Sequence, residues 1–218
     1  MAKTWPALLE DIRSAAGGTP RLYVPGGPAE PSGLAAALKD APHLAAGATF
    51  VGVWLPGINR TAWAGLAPDA KAESTFLYAD HRTHFEAGRF RLLPLHYSAA
   101  WDWLKTVPLD AAFTPVSKPD DRGRVSLALG TDLSPALTAR KDVRLVAVIR
   151  PDMPAPATSP HLPLDTFADV VEDESPLITL ADPPLSEEAR AIAGHVAGLL
   201  GDGATVQSGI GSVQQIAM

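Results

Sequence analysis

The run Thr49-Phe50-Val51-Gly52-Val53-Trp54-Leu55 decides the fold class. Apart from Thr49 it is apolar or glycine, and it is bounded by Gly47 on one side and by Pro56-Gly57 on the other. A strand with one wet face would alternate apolar and polar residues. The continuous pattern therefore predicts a strand that is buried on both faces of a parallel sheet.

Similar short runs recur along the chain and alternate with stretches of helical period. The predicted strands span 21–24, 49–55, 74–78, 90–95, 111–116, 125–129, 144–149, 167–171 and 204–207. The predicted helices start near Thr4, Ser32, Ser98, Ser134, Ser186 and Ser212. This alternation predicts a single α/β domain, residues 1–218, with an open, mostly parallel sheet and helices on both faces. The proline-rich stretch 152–163 is predicted to be an extended loop.

Composition excludes several classes of site and partner. The 218 residues carry a formal net charge of −6 and no cysteine. Disulfides, thiolate nucleophiles and cysteine-based metal sites are therefore excluded. The acidic balance argues against nucleic acid and anionic membranes as partners, and no apolar run reaches membrane-spanning length. We expect a cytoplasmic protein.

Two glycine turns are the candidate binding loops. The first is Gln207-Ser208-Gly209-Ile210-Gly211, between a predicted strand and a predicted helix; the second is Gly26-Gly27, between the first strand and the second helix. Such turns point backbone N–H groups at a ligand, and glycine lets an anionic or acyl group approach closely. The first is not a dinucleotide fingerprint, because Gln214 stands where a third glycine would be needed.

Five ordered segments carry a resemblance that spans the chain. They are Gly26-Gly27-x-x-Glu30-Pro31, Leu95-His96-Tyr97-Ser98, Pro115-Val116-Ser117-x-Pro119-Asp120-x-x-Gly123-x-x-Ser126-Leu127, Met153-Pro154 and Asp202-Gly203-Ala204-x-x-Gln207-x-Gly209-Ile210-Gly211-Ser212-Val213. In this order they resemble the N-terminal half of the acetyl-CoA hydrolase/CoA-transferase family, which includes the 4-hydroxybutyrate and succinyl-CoA:acetate CoA-transferases. The resemblance implies the NagB/RpiA-like N-terminal domain of a CoA-transferase. Two departures are Gln214 in place of a common proline, and Arg150 and Asp152 where the family often has asparagine before Met-Pro.

The resemblance also implies a mechanism. In this family a glutamate carboxylate attacks the acyl-CoA thioester, and CoA leaves as thiolate before it returns to a second carboxylic acid, or water takes its place. The amides of Gln207, Ser208, Gly209 and Gly211 would then stabilise the oxyanion. The implied substrate-facing residues are Gly26, Gly27, His96, Ser98 and Ser117. No residue of the 218 matches the nucleophilic glutamate, so we expect no catalytic residue in this chain.

Simpler interpretations compete at each position. Both glycine loops can be ordinary turns, His96 can be a structural residue, and Ser117 and Asp120 can organise their own turn. His81 and His84 beside Asp80 suggest a metal, but no third ligand is evident, and we predict no metal site. A Ser-His-Asp catalytic triad lacks its Gly-x-Ser-x-Gly elbow.

The favoured hypothesis is therefore a CoA-transferase or acyl-CoA hydrolase of acyl-CoA metabolism, of which these residues form the N-terminal half. Acyl-CoA and a small carboxylic acid would be its substrates, with no permanently bound cofactor. The second half or a companion subunit would supply the nucleophile, and we expect a homo-oligomer. A catalytically inert module that binds CoA or a partner is the alternative. A protein similar to sugar-phosphate isomerases is a third hypothesis and rests on fold analogy alone.

Overall fold

The computed structural model describes residues 2–179, 186–207 and 209. The chain divides into two compact units, 1–179 and 180–218, and each is described by itself. The first unit holds the sheet, and the described part of the second holds one helix. The predicted extent of the domain, 1–218, stays a prediction.

A seven-stranded sheet organises the first unit, and every pair of neighbouring strands in it is parallel. Its strands are β1 (Arg21–Tyr23), β2 (Thr49–Val51), β3 (Lys71–Ser74), β4 (Phe90–Leu92), β5 (Ala111–Val116), β7 (Arg144–Ile149) and β9 (Asp169–Glu172). Their order across the sheet is β4-β3-β2-β1-β5-β7-β9. The predicted open parallel α/β sheet is thus confirmed. Two further strands, β6 (Arg124–Ser126) and β8 (His161–Pro163), form a separate antiparallel pair.

Helices cover both faces of the sheet. They are α1 (Trp5–Ala15), α2 (Ser32–Asp40), α3 (Ala79–Glu86), α4 (Tyr97–Leu104), α5 (Ser134–Thr138) and, in the second unit, α6 (Glu187–Ala197). Leucines of α1 and α2 pack into the core on one face, and residues of α4 and α5 pack into the core on the other. Among the described residues, no helix combines the length and the apolar character needed to cross a membrane.

The strands are buried on both faces because their side chains alternate between two apolar cores. Leu22 of β1, Phe50 of β2 and Phe113 of β5 point into the first core. Their neighbours Tyr23, Val51 and Ala112 point into the second. The successive side chains of a strand point to opposite faces, so a strand between two helical layers needs an apolar residue at every position. This is why the run at Thr49 shows no alternation.

The predicted strand 74–78 was misplaced. The strand is Lys71–Ser74, and the residues after it lead into α3, which was not predicted. The charged residues Lys71 and Glu73 interrupt the apolar pattern by which a buried strand is predicted. In the structure the Glu73 carboxylate accepts bonds of 3.0 and 2.6 Å from the Arg21 guanidinium of β1. The charge of Glu73 is thus balanced by a residue of another strand, and the sequence around Glu73 does not reveal that partner.

Other predicted boundaries also moved. The strand expected at 125–129 is the shorter β6, whose partner β8 lies at the end of the stretch predicted to be a loop. The strand expected at 204–207 is absent, because these residues have no regular structure. The helix expected to start at Ser186 is confirmed: the Ser186 hydroxyl accepts a 3.2 Å bond from the Ala189 amide, as an N-cap does.

Candidate functional site

The strand order creates a switch point between β1 and β5. After β1 the chain adds β2, β3 and β4 in turn on one side of β1. It then crosses back and places β5 on the other side of β1. Neighbouring connections therefore leave the carboxyl ends of β1 and β5 in opposite directions and open a crevice between them. In open α/β sheets ligands bind in this crevice. The carboxyl edge near β1 and β5 is thus the candidate functional site.

Gly26 and Gly27 form the turn that leaves β1 at this switch point. A Cβ on Gly26 would lie 2.0 Å from the Val53 carbonyl oxygen, so only glycine fits there. Gly27 has a φ of +66°. Its amide donates to Asn59 Oδ1 at 2.9 Å, and its carbonyl accepts from Asn59 Nδ2 at 3.0 Å. The Gly27 N–H is therefore already bonded within the protein.

Glu30 places a buried carboxyl group beside this turn. It is 2% exposed, and its Oε2 accepts a 2.6 Å bond from Asn59 Nδ2. Burial raises the pKa of Glu30 above its usual range, and hydrogen bonds from Thr61 and Asn59 oppose the shift in part. Asn59 thus ties the carboxyl group, the glycine turn and the Leu55 amide, at 2.8 Å, into one unit.

The N-termini of α4 and α5 meet at the same edge. The Tyr97 hydroxyl donates a 2.5 Å bond to Asp132 Oδ2, which links the two helix starts. Burial, and then the negative charge of Asp132, raise the pKa of the Tyr23 hydroxyl well above its ordinary value. His96 and Ser98 flank Tyr97 and are exposed.

Ser117 follows β5 and has a structural contact. It is 3% exposed, and its Oγ accepts a 2.9 Å bond from the Ser126 amide, which joins β5 to β6. In the turn that follows, Asp120 Oδ1 accepts 2.9 Å bonds from the amides of Arg122 and Arg124. These bonds, the Arg124 amide above all, lower the pKa of Asp120. This segment thus organises its own turn.

Arg150, after β7, belongs to a buried cluster at the same edge. It is 0% exposed, its Nη2 donates to the Ser175 carbonyl, and its Nη1 lies 3.9 Å from Asp173 Oδ2. Asp173, 2% exposed, in turn accepts a 3.2 Å bond from the Gly33 amide at the start of α2. A Cβ on Gly33 would lie 2.5 Å from Asp173 Oδ1, so a larger residue at this helix start would displace the carboxylate.

The glycine loop of the second unit is only partly described. Gln207 and Gly209 are exposed, and a Cβ on Gly209 would meet nothing within 4 Å. Ser208, Gly211 and the helix predicted near Ser212 lie outside the described residues. The predicted oxyanion role of this loop therefore stays a prediction.

His81, the first of the two histidines of α3, lies among aromatic side chains. His81 is 0% exposed and lies against Trp54, Tyr78 and Phe90, with ring centroids 5.7, 4.6 and 4.6 Å away. Burial, with a smaller contribution from His84, lowers the pKa of His81 to about 4. Within the described part of the chain, no three histidine, aspartate or glutamate side chains are grouped as metal ligands.

Sequence reasoning missed three residues of this edge. Asn59, Arg150 and Asp173 all bond to groups that are distant in sequence, and Asn59 lies in an irregular loop without a motif. The position of Arg150, directly after the apolar strand 144–149, was the one available signal.

Comparison with known proteins gives the family context. Over 110 residues, half of the chain, the sequence is 34% identical to 4-hydroxybutyrate coenzyme A transferase from Clostridium kluyveri. Over this half the chain is similar in sequence to a CoA-transferase. Succinyl-CoA:cyclohexane-1-carboxylate CoA transferase from Geobacter metallireducens is 25% identical over 148 residues. The resemblance predicted from the five segments is confirmed. No family model matches.

Solved structures have the same fold as this chain. RipA from Yersinia pestis superposes with a TM-score of 0.78 over 99% of the chain at 22% identity. A 4-hydroxybutyrate CoA-transferase from Porphyromonas gingivalis superposes with a TM-score of 0.63 over 96% of the chain at 20% identity. The chain spans about half of each, 54% and 51%, and the curated relatives are matched over 25% and 34% of their length.

Proposed function

We propose that residues 1–218 are the N-terminal half of an acyl-CoA:carboxylate CoA-transferase or acyl-CoA hydrolase. This half would form the thioester and oxyanion side of the site. The nucleophilic glutamate would come from a second half, either continuous with these residues or on a companion subunit. Acyl-CoA and a small carboxylic acid would be the substrates.

One observation carries the proposal. Of the five segments that resemble the family, four follow the carboxyl ends of β1, β4, β5 and β7, although they are far apart in sequence. Segments shared only for packing would be scattered over both edges of the sheet. Their convergence at the edge that contains the switch point supports a shared ligand site.

The bonding of each residue suggests a division of roles at this edge. The Gly27 amide and the Ser117 hydroxyl are bonded within the protein, so we assign both to shaping the site. His96 and Ser98 are exposed and are better placed to contact substrate. In the second unit, and without reference to this edge, the loop residues Gln207, Ser208, Gly209 and Gly211 keep their proposed role as oxyanion donors, since a loop with two glycines lets a thioester carbonyl approach closely.

The proposed reaction fixes where covalent chemistry occurs. A carboxylate oxygen attacks the thioester carbonyl, the C–S bond breaks and CoA leaves as thiolate, which gives an acyl-glutamyl anhydride. CoA thiolate would then attack the glutamyl carbonyl of the anhydride, which releases the first acid and gives a glutamyl-CoA thioester. The carboxylate of the second acid would displace CoA thiolate to form a new anhydride, and CoA thiolate would attack its acyl carbonyl, which gives the new acyl-CoA and frees the glutamate; in a hydrolase, water would attack the first anhydride and release the acid and the glutamate. The protein in these 218 residues stabilises the tetrahedral oxyanion and never becomes acylated.

A trapping experiment tests this assignment. The chain would be incubated with acetyl-CoA, succinyl-CoA or butyryl-CoA, alone and with the second half, and then reduced with borohydride. We expect acyl transfer only with both halves, and a reduced glutamate only outside residues 1–218. Turnover by this chain alone, or label on Glu30, Glu172 or Glu174, would contradict the proposal. Saturable CoA binding with no transfer under either condition would instead favour the inert module.

Substitution at the glycine loop tests the oxyanion role. Gly209→Val should lower kcat of the two-half enzyme by about 100-fold, comparable to the loss of one oxyanion donor, because the valine side chain would keep the thioester carbonyl away from the loop amides, with little change in stability. Gly201→Val is the matched control, because a Cβ at either glycine meets nothing within 4 Å. Equal activity of the two variants would remove the loop from the mechanism.

A further inference from the structure

A second concave site is formed by α2, α3 and the segment between β2 and β3. It is a groove of about 550 Å³ between the end of α2, the segment 60–66 and α3. We call it the basic groove, after the three basic residues that line it, Lys39, Arg60 and His84. None of the residues assigned above to the CoA-transferase site lines it.

The two cations of the basic groove have no carboxylate partner. Lys39 and Arg60 are exposed, and neither forms an ion pair with any described residue. No aspartate or glutamate lines the groove. Lys39 does lie within electrostatic reach of Glu30, but that carboxyl group is buried and bonded to Asn59. Two unpaired cations on one groove are notable in a chain of net charge −6.

His84 adds a hydrogen-bond donor to the same groove. Its Nδ1 lies 2.8 Å from Arg89 Nη2. A guanidinium only donates, so Nδ1 must accept, and a neutral ring then carries its proton on Nε2. Burial, and then the charge of Arg89, lower the pKa of His84, which favours the neutral ring. Nε2 faces Gly65, which also lines the groove: a Cβ there would lie 2.9 Å from it.

We propose that the basic groove binds a phosphate group. The lining side chains offer an ammonium, a guanidinium and an imidazole N–H and no anionic acceptor, which is the donor set that phosphate oxygens require. The phosphate can be free inorganic phosphate or a phosphate carried by a nucleotide. This inference does not depend on the proposed CoA-transferase function, because the two sites share no residue.

Calorimetric titration of the full chain at fixed ionic strength tests the proposal. The probes are inorganic phosphate and adenosine 3′,5′-bisphosphate, with chloride as the monovalent reference. We expect saturable binding, weakened about tenfold or more by Lys39→Gln or Arg60→Gln, as expected for loss of one charge-assisted bond. Lys141→Gln and Arg122→Gln are the matched controls, because both remove an exposed cation outside the groove. They should leave the affinity unchanged.

The outcomes separate the two sources of phosphate and also decide the proposal. If the nucleotide binds more tightly than phosphate and both are lost together in Lys39→Gln, the groove takes a nucleotide phosphate; equal affinities indicate free phosphate. If the controls weaken binding as much as the groove variants, the effect is general screening and the proposal is overturned. Absence of saturable binding by both probes would overturn it as well.

His84→Leu should weaken binding, whereas His84→Gln, which keeps an N–H at a similar position, should restore part of it.

Discussion

At the scale of single residues, the two glycines after β1 are required for different reasons. Gly26 is required by space, because the Val53 carbonyl oxygen occupies the position of its Cβ. Gly27 is required by conformation, because its φ of +66° is in the left-handed region and no atom lies near its Cβ position. Together they let β1 turn at the switch point while Asn59 holds the turn.

Alanine substitutions should separate these two causes. Gly26→Ala should destabilise the protein by about 3 kcal/mol, since overpacking against backbone is not easily relieved. Gly27→Ala should cost about 1 kcal/mol, the cost of a left-handed residue with a Cβ. Urea denaturation of both variants measures the difference. If Gly26→Ala were no worse than Gly27→Ala, the close approach of Val53 would not limit this turn.

His81 should make the protein sensitive to acid. Its pKa is lowered from 6.5 to about 4, so below pH 6.5 the unfolded chain binds a proton that the folded protein excludes. Stability should therefore be intact at neutral pH and fall between pH 6.5 and pH 4, by at most about 3 kcal/mol.

His81→Phe keeps the ring in its aromatic surroundings and removes the proton site. The difference in unfolding free energy between the variant and the wild type should therefore grow in favour of the variant as pH falls through this range. A difference that does not change with pH would show that His81 does not titrate in this way. The buried Glu30 acts in the opposite sense, because its raised pKa favours the folded state at low pH.

At the scale of elements, one carboxylate joins the end of β9 to the start of α2. Asp173 accepts bonds from the Gly33 amide and, at 2.9 Å, from the Ser175 amide, and it is the nearest buried anion to Arg150. Negative charge at a helix N-terminus is favourable, so the same group stabilises the helix and balances a buried cation.

Removal of this carboxylate should be costly. Asp173→Ala leaves Arg150 buried without a buried counter-charge and should destabilise the protein by about 3–5 kcal/mol. Asp152→Ala is the matched control: its carboxylate lies 3.6 Å from Arg150 Nε but is 43% exposed, so we expect less than about 1 kcal/mol. Thermal unfolding ranks the two, and hydrogen exchange of the Gly33 amide should speed up only in Asp173→Ala. Equal destabilisation would contradict the role given to Asp173.

At the scale of the whole molecule, the carboxyl edge carries exposed apolar side chains beside its polar site. Phe76 after β3 and Leu92 at the end of β4 are 38% and 37% exposed, and Tyr97 and Leu129 lie at the same edge. If a second half packs on this edge, these side chains become buried. Without it, they form an apolar surface open to association.

We therefore predict that the isolated chain self-associates through this edge. Light scattering should show oligomers, and the double substitution Phe76→Ser and Leu92→Ser should shift them towards monomer. Phe85→Ser removes a side chain of similar exposure, 44%, near the end of α3 and should have no effect. A monodisperse wild-type monomer, or an equal response to Phe85→Ser, would show that the edge is not the contact.

An element was predicted correctly where the residues that specify it are close together in the sequence. β5 and β7 were predicted at their observed bounds, because five of the six residues of each strand are apolar. β3 was misplaced and α3 missed, because Glu73 depends on Arg21 of another strand and α3 has a largely polar sequence around His81. In the candidate site, the glycine turn after β1 was predicted, but Asn59, which holds it, was not.

The sequence by itself determined the alternation of strands and helices, the parallel sheet and the resemblance to CoA-transferases, because apolar period, turn residues and ordered motifs act over short stretches of chain. Only the tertiary structure decided which segments share an edge and which polar groups are already bonded. The bond between Gly33 and Asp173 joins residues 140 positions apart, and the bond between Gly27 and Asn59 joins residues 32 positions apart. Such pairs form only when the strand order brings them together, and no local pattern of side chains specifies that order.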